Sequence, residues 1–265
     1  MIKAIAVDMD GTFLRSDHSY DEERFDKIYK ELVARDIKFI VASGSQYYRL
    51  KELFPSKDDE ITYASENGAV VTHNDEVLDV TSFDKDFFRE LIDYLTEYGD
   101  EMVLCGVKNA YTLDSVSEEY KEVVKQYYFK YDVIDSFDDL PDDDFVKIAF
   151  NAGVEAAPRV VKELLEKFPN KLYAASSGFK AVDILNPKAG KGIAVKNLLK
   201  KWDIKPNELL TFGDADNDVE MLSLTDHSYA MAKSSKKVQE TAKHMAPSNE
   251  DSGVLTIIEQ YLDSL

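Results

Sequence analysis

Ile2-Lys3-Ala4-Ile5-Ala6-Val7-Asp8-Met9-Asp10-Gly11-Thr12 begins as an apolar, partly β-branched run and stops abruptly at two carboxylates one residue apart. This pattern predicts a buried strand that delivers acids to a sheet edge, with a glycine turn behind it. On its own an Asp-x-Asp after a strand is an ordinary turn or cap. Its meaning depends on what the rest of the chain brings to the same edge.

Ser19 and Glu22 have the spacing of a capping box, and Phe25, Ile28, Tyr29, Leu32 and Val33 then recur at helical intervals as far as Asp36. Residues 37–42 read as a second buried strand running into Ser43-Gly44-Ser45. Strand, helix, strand implies a right-handed crossover and a parallel sheet. A helix over 47–53, a strand over 61–64, a loop at Ser65-Glu66-Asn67-Gly68 and a hairpin about Asn74-Asp75 follow.

From residue 82 the texture changes. Helical patterns at 84–98, 117–128 and 155–168 are interleaved with short strands at 101–105, 110–113, 145–151, 171–175 and 180–185, as in an antiparallel α+β unit. Within it, six acids surround Pro141 between Asp135 and Asp144, which reads as a solvated loop. After Asn186-Pro187 the first texture returns, with a helix from 190 to 202, a strand from 209 to 212 ending in Gly213-Asp214-Ala215-Asp216-Asn217-Asp218, a further helix and strand, and two closing helices. The predicted fold class is α/β: a Rossmann-like parallel-sheet core formed by residues 1–81 and 186–265, interrupted by an α+β domain at 82–185.

The chain has 265 residues, 44% hydrophobic and 11% aromatic, enough for at least one full core. Its 51 acids against 32 bases leave a formal charge of −19, which disfavours nucleic acid or an anionic membrane as partner. Cys105 is the single cysteine, so neither an internal disulfide framework nor a multi-cysteine metal site is expected. Asp8 and Asp10 break the first apolar run, and no later stretch approaches the ~18 apolar residues of a membrane span, so a cytoplasmic protein is expected.

In an open parallel sheet, ligands bind beyond the carboxyl ends of the strands. Asp8 and Asp10, Ser43-Gly44, the helix start at Lys191 and the acids from Asp214 to Asp218 all fall at or near such ends, and one crevice could hold them. Lys191 does not belong to a Walker loop, because Leu185 stands where its first glycine is required and Gly192 where Ser or Thr is. Asp214, Asp216 and Asp218 do not make a calcium loop, because Val219 and Thr225 replace its glycine and its bidentate glutamate.

Several carboxylates in one crevice take up protons unless a cation offsets them, and oxygen-only ligands favour Mg²⁺ with a phosphate. Ser43, nearby backbone N–H groups and Lys191 can donate to that phosphate. One Asp can attack phosphorus, and a second, two residues on, can carry the proton if the extended geometry persists.

Asp8-Met9-Asp10-Gly11-Thr12, Ser43-Gly44, Lys191 and Gly213 to Asp218 resemble, in order, the four motifs of the haloacid dehalogenase (HAD) superfamily of phosphatases. The inserted domain resembles the class IIB cap of the Cof-type subfamily, and residues 41–48, Ser177-Gly178-Phe179 and 198–203 resemble its bacterial sugar-phosphatase branch. The resemblance implies a phosphatase that hydrolyses small sugar phosphates through an aspartyl phosphate on Asp8, with Asp10 as general acid and base. It implies Mg²⁺ held by Asp8, the Asp10 backbone carbonyl and Asp214. It places the Met9 backbone, Ser43, Gly44, Lys191 and Asn217 around the phosphoryl group, with Asp218 orienting Lys191 or a metal-bound water and Thr12 supporting the loop.

Where many relatives carry Thr-Gly-Arg, this chain has Ser43-Gly44-Ser45, and Ser45 is assigned no role. Gly178 and Phe179, in a turn between two strands of the inserted domain, are the candidate cap contacts to substrate. A phosphomutase or phosphotransferase on sugar phosphates and a non-catalytic phosphometabolite sensor are the alternatives, the second opposed by the intact Asp8 and Asp10 pair. The expected partner is a small phosphorylated metabolite, and the chain a monomer or homodimer.

Overall fold

The computed structural model describes residues 1–55, 57, 60–176 and 181–265. The first part of the chain forms β1 (Ala4–Val7), α1 (Glu22–Ala34), β2 (Lys38–Ala42), α2 (Tyr47–Glu52), β3 (Ile61–Ser65), β4 (Val70–His73) and β5 (Glu76–Val80). The α1 helix starts differently from the expected capping box. Asp21 is its N-cap, accepting from the Arg24 N–H at 3.1 Å, while the Ser19 hydroxyl donates to Asp17. A carboxylate one residue before the first turn both caps it and meets the positive end of the helix. Asn74 and Asp75 turn between β4 and β5 with φ of 50° and 59°, the left-handed pair that a two-residue hairpin requires.

The middle of the chain forms α3 (Lys85–Thr96), β6 (Met102–Gly106), β7 (Ala110–Leu113), α4 (Glu118–Tyr127), β8 (Tyr131–Ile134), β9 (Phe145–Asn151), α5 (Ala157–Lys167), β10 (Tyr173–Ser176) and β11 (Ala181–Leu185). It then returns through α6 (Lys191–Lys201), β12 (Leu209–Gly213), α7 (Val219–Leu222), β13 (Ser228–Met231), α8 (Lys236–Thr241), β14 (His244–Ala246) and α9 (Gly253–Asp263).

Two compact units result, one of residues 1–44, 54–78 and 190–265, the other of residues 45–53 and 79–189. The first carries a sheet in the order β14-β13-β12-β1-β2-β3-β4-β5, parallel from β14 to β3. Strand order reverses beside β1: the chain steps one way to β2 and β3, and later the other way through β12, β13 and β14. Ala194, Val195, Leu198 and Leu199 of α6 pack over Ala4, Ala6, Ile40, Ala42 and Ala64, small side chains that let the helix lie close to the strands.

The second unit carries a sheet in the order β10-β11-β9-β6-β7-β8, antiparallel except where β7 and β8 run parallel across α4. Phe88, Leu91, Ile92 and Leu95 repeat along one face of α3 and join Val160 and Leu164 of α5 over Leu104, Ile148, Phe150, Val182 and Ile184. Residues 45–53, expected in the core, pack in this unit. The buried Gln46 amide makes a ladder-like pair with the Lys130 backbone, Nε2 donating to the carbonyl at 2.7 Å and Oε1 accepting from the N–H at 3.0 Å.

Two strands lie outside the sequence expectation. β8 is an edge strand with no fully buried residue, and β14 has three residues of which only Ala246 is buried, so neither shows an apolar run. Among the described residues, no helix is long and apolar enough to cross a membrane.

The acidic segment about Pro141 is not uniformly solvated. Asp143 is buried, and its carboxylate accepts from the backbone N–H groups of Lys108 (3.1 Å), Asn109 (3.2 Å) and Asp144 (2.8 Å) and from the Tyr111 hydroxyl (3.1 Å). A side chain that satisfies four donors is expensive to remove. Asp143→Ala is therefore expected to destabilise the protein by about 3 kcal/mol in urea unfolding followed by circular dichroism. The exposed neighbour Asp142, 3.8 Å from Lys85, should change stability by less than about 0.5 kcal/mol when replaced by Ala.

Candidate active site

The site is built where β1 and β12 end side by side. Val7 pairs with Phe212, so Asp8 and Asp214 emerge close together beyond the carboxyl ends of the two strands, and the Asp8 N–H donates to the Phe212 carbonyl at 3.2 Å. Extended geometry does not persist past Val7. The Phe13 N–H folds back to the Asp8 carbonyl at 3.2 Å, and the Thr12 and Leu14 N–H groups reach the Met9 carbonyl at 3.2 and 2.9 Å. Asp8 is thereby buried, while Asp10 is half exposed, 3.4 Å from His18.

That turn needs Gly11. Its φ is +84°, and a Cβ there would lie 2.5 Å from Oδ2 of Asp214, so a side chain would be both strained and in collision with the acid. Thr12 supports the same acid, its hydroxyl donating to Oδ1 at 3.0 Å.

Lys191, the first residue of α6, brings its buried ammonium 2.6 Å from Oδ1 of Asp8 and 2.7 Å from Oδ1 of Asp218. A cation at a helix N-terminus is ordinarily unfavourable, and here two carboxylates offset that cost. The second oxygen of Asp218 accepts from the backbone N–H groups of Asp214 at 3.0 Å and Ala215 at 3.1 Å, which fixes the turn after β12.

Burial pushes the Asp8 carboxyl up to about 6, opposed by Lys191 and reinforced by Asp214 and, more weakly, Asp10. Burial, and then the charge of Asp8, push Asp218 up to about 6 against the pull of Lys191. Burial and Asp218 raise Asp214 as well. Burial alone would favour a neutral Lys191, but Asp218 and Asp8 outweigh it and hold the ammonium charged well above the ordinary lysine range.

Asp8, Asp214 and Asp218 each place an oxygen within 4.8 Å of the others, a grouping able to hold a metal ion. Lys191 supplies one positive charge against these three acids, so a divalent cation fits the remaining charge, and carboxylate oxygens suit a hard ion. Asp218 already accepts three hydrogen bonds, so Asp8 and Asp214 are the better placed ligands of the three.

The other expected site residues lie on the neighbouring turns. Ser43 follows β2, its N–H on the Ala64 carbonyl at 3.0 Å and its carbonyl accepting from the Asn67 N–H at 2.8 Å. Asn217 donates through Nδ2 to Oδ1 of Asn67 at 3.0 Å, and the same Asn67 amide lies beside Gly44. Gly178 and Phe179 lie outside the described residues.

Three contributors carried no assignment from sequence: Asn67, His18, and Ser235, which donates its N–H to the Asp214 carbonyl at 3.0 Å and its hydroxyl to Asp216 at 2.9 Å. The Asn-Gly pair at 67–68 was a visible turn signal, whereas a lone His or Ser in a polar loop offers none.

The raised carboxyls have a signed consequence. The folded protein retains protons on Asp8 and Asp218 that the unfolded chain releases near its ordinary value of 3.8, so between about pH 4 and 6 these groups erode stability as pH rises. Without divalent cation, acidification from pH 7 to pH 5 is expected to raise the melting temperature relative to Asp8→Asn, which lacks one titrating group. Parallel wild-type and variant curves across that window would contradict the assignment.

Known proteins resemble this chain over nearly its whole length. The family described as haloacid dehalogenase-like hydrolase matches residues 5–258. A 5-amino-6-(5-phospho-D-ribitylamino)uracil phosphatase of Escherichia coli is 37% identical over 262 residues, covering 98% of this chain and 96% of that protein. A Bacillus subtilis phosphatase of the same name is 24% identical over 285 residues, covering 98% of each chain. A crystal structure of a Streptococcus mutans protein superposes with a TM-score of 0.91 at 36% identity, covering 99% of this chain and 100% of that one. Matched by that family over almost its whole length, the chain belongs to the haloacid dehalogenase-like hydrolase family.

Proposed function

We propose that this haloacid dehalogenase-like phosphatase hydrolyses small sugar phosphates through an aspartyl phosphate on Asp8, with Asp10 moving the proton. The observation that carries the reading is the buried ammonium of Lys191, 2.6 Å from Asp8 and 2.7 Å from Asp218. A carboxylate buried at a strand end would otherwise protonate, and a protonated acid is a poor nucleophile. The ammonium favours the anion.

Asp8, Asp214 and the backbone carbonyl of Asp10 would hold Mg²⁺, with Asp218 accepting from Lys191 and the turn amides. The ion, when bound, supplies positive charge to the phosphoryl oxygens. In the first step a carboxylate oxygen of Asp8 attacks phosphorus as the bond to the leaving oxygen breaks, and Asp10 gives its proton to that oxygen. In the second, Asp10 takes a proton from water, the water oxygen attacks phosphorus, and the bond to Asp8 breaks to release orthophosphate. The half-exposed position of Asp10 suits exchange with solvent between steps. Lys191, Ser43, Asn217 and the N–H groups of Met9 and Gly44 are the donors around the phosphoryl oxygens.

The substrate class draws support from the two phosphatases named above, whose named substrate carries a phosphomonoester on a ribityl chain. A phosphate at the end of a short polyhydroxylated chain is the class proposed here, and Gly178 and Phe179 remain the proposed cap contacts.

Three outcomes are expected. Asp8→Asn should lower kcat on p-nitrophenyl phosphate by at least roughly a thousandfold, and activity surviving that change would overturn the nucleophile. Asp10→Asn should cost about 10²- to 10⁴-fold on a sugar phosphate, yet less on p-nitrophenyl phosphate, whose leaving group needs little protonation. Activity should vanish in EDTA and return with Mg²⁺. A substrate panel that includes hexose phosphates and 5-amino-6-(5-phospho-D-ribitylamino)uracil tests the class.

A further inference from the structure

The turn between β3 and β4 is built from three successive left-handed residues, Glu66 (φ 50°), Asn67 (φ 56°) and Gly68 (φ 83°). For the first two this region is sparsely populated, so the surroundings must impose it. They do so from several sides. The Asn67 N–H is tied to the Ser43 carbonyl at 2.8 Å, and Gly68 lies against Gly190, where a Cβ would come within 2.5 Å of the carbonyl oxygen. Gly190 is the N-cap of α6, so the turn abuts the helix start that presents Lys191.

The side chain of Asn67 points the same way. Its Oδ1 accepts from Nδ2 of Asn217 at 3.0 Å, and the amide stands 3.2–3.5 Å from the position a Cβ would take on Gly44. Asn67 is thus hydrogen-bonded to Ser43 and Asn217 and lies beside Gly44, three of the proposed phosphoryl-binding positions. An amide nitrogen carries two hydrogens, so the one committed to Asn67 aims Asn217 and leaves the second for an acceptor. A neutral partner suits this place, because Asp8, Asp214 and Asp218 already concentrate negative charge nearby.

We propose that Asn67 is a positioning residue of the phosphoryl site, orienting the Asn217 donor and bracing the Ser43-Gly44 turn, so that it governs phosphate affinity more than the chemical step. The inference rests on the phosphatase reading of the site, but its test uses a ligand that needs no turnover.

Orthophosphate is titrated calorimetrically into the Mg²⁺-loaded wild type, Asn67→Gly, Asn217→Ala and the double variant, with p-nitrophenyl phosphate kinetics alongside. Glycine accepts the left-handed backbone without strain and removes the side chain with its amide. Asn67→Gly is expected to raise the phosphate Kd and the KM roughly tenfold, as for loss of a hydrogen bond to a charged group, with kcat within about threefold. The double variant should fall clearly short of the product of the single effects, since one side chain acts through the other.

A Kd equal to wild type, fully multiplicative effects, or a fall in kcat at unchanged KM would each overturn the assignment. Should the glycine variant fail to fold, Asn67→Ser takes its place, because its shorter side chain withdraws the acceptor from Asn217. Its Kd and KM should rise together, and an unchanged Kd would again overturn the proposal. A wild type that binds orthophosphate yet hydrolyses no sugar phosphate would refute the substrate reading alone, leaving Asn67 to be judged on Kd. A wild type that does not bind orthophosphate refutes the Asn67 assignment whatever its activity.

Discussion

A buried ammonium between two buried carboxylates is the constraint on which this site depends. Lys191 meets Asp8 at 2.6 Å and Asp218 at 2.7 Å, and all three side chains are almost fully withdrawn from water. Desolvating three charges is costly, and the mutual attraction repays it only where the geometry is good and the remaining oxygens are satisfied. Asp218 meets that condition by accepting two backbone N–H groups from the turn it closes. Burial above all, and then the neighbouring acids, hold the Asp8 and Asp214 carboxyls above the usual carboxylate range.

The parallel sheet makes such a concentration of charge possible. β1 and β12 lie inside six consecutive parallel strands, β14 to β3, and are buried along their whole length, so their side chains are mostly apolar and the acids stand at their ends. The order reverses beside β1, which places the ends of β1 and β12 together and brings Asp8 and Asp214 into one group despite their separation in sequence. The helices repeat the logic: α6 buries Ala194, Val195, Leu198 and Leu199 on the sheet, and that packing sets the position of its first residue, Lys191.

The inserted unit follows other rules. Its sheet is mostly antiparallel with α3 and α5 packed over one face, and its polar fixtures are structural: Gln46 pairs with the Lys130 backbone, and Asp143 collects four donors. The packing of residues 45–53 with this unit means that the chain leaves the Ser43-Gly44 turn directly into it, so the two units are joined within one residue of a proposed phosphate-binding turn.

The residues that tell most in this chain do so by local pattern. A short apolar run ending in Asp8-Met9-Asp10-Gly11-Thr12, an amphipathic helix and a second such run specify a strand, a crossover and a parallel sheet, because side-chain periodicity and turn chemistry act over a few residues. The inserted α+β unit was legible in this way, whereas the grouping of Asp8, Asp214 and Lys191 was legible only through the order of the family motifs and the rule that ligands bind beyond parallel strand ends. Tertiary structure alone decided the rest. β8 and β14 are strands because a neighbour offers them a ladder, while their own side chains stay largely exposed. Asp143 is buried because the Lys108 and Asn109 amides converge on it, although its neighbours in sequence are solvated acids. Asn67 joins Ser43, Gly44 and Asn217 because three loops meet at one sheet edge. Such pairings depend on long-range proximity, which no window of sequence contains: periodicity determines which face a residue occupies, and only the folded chain determines what stands opposite it.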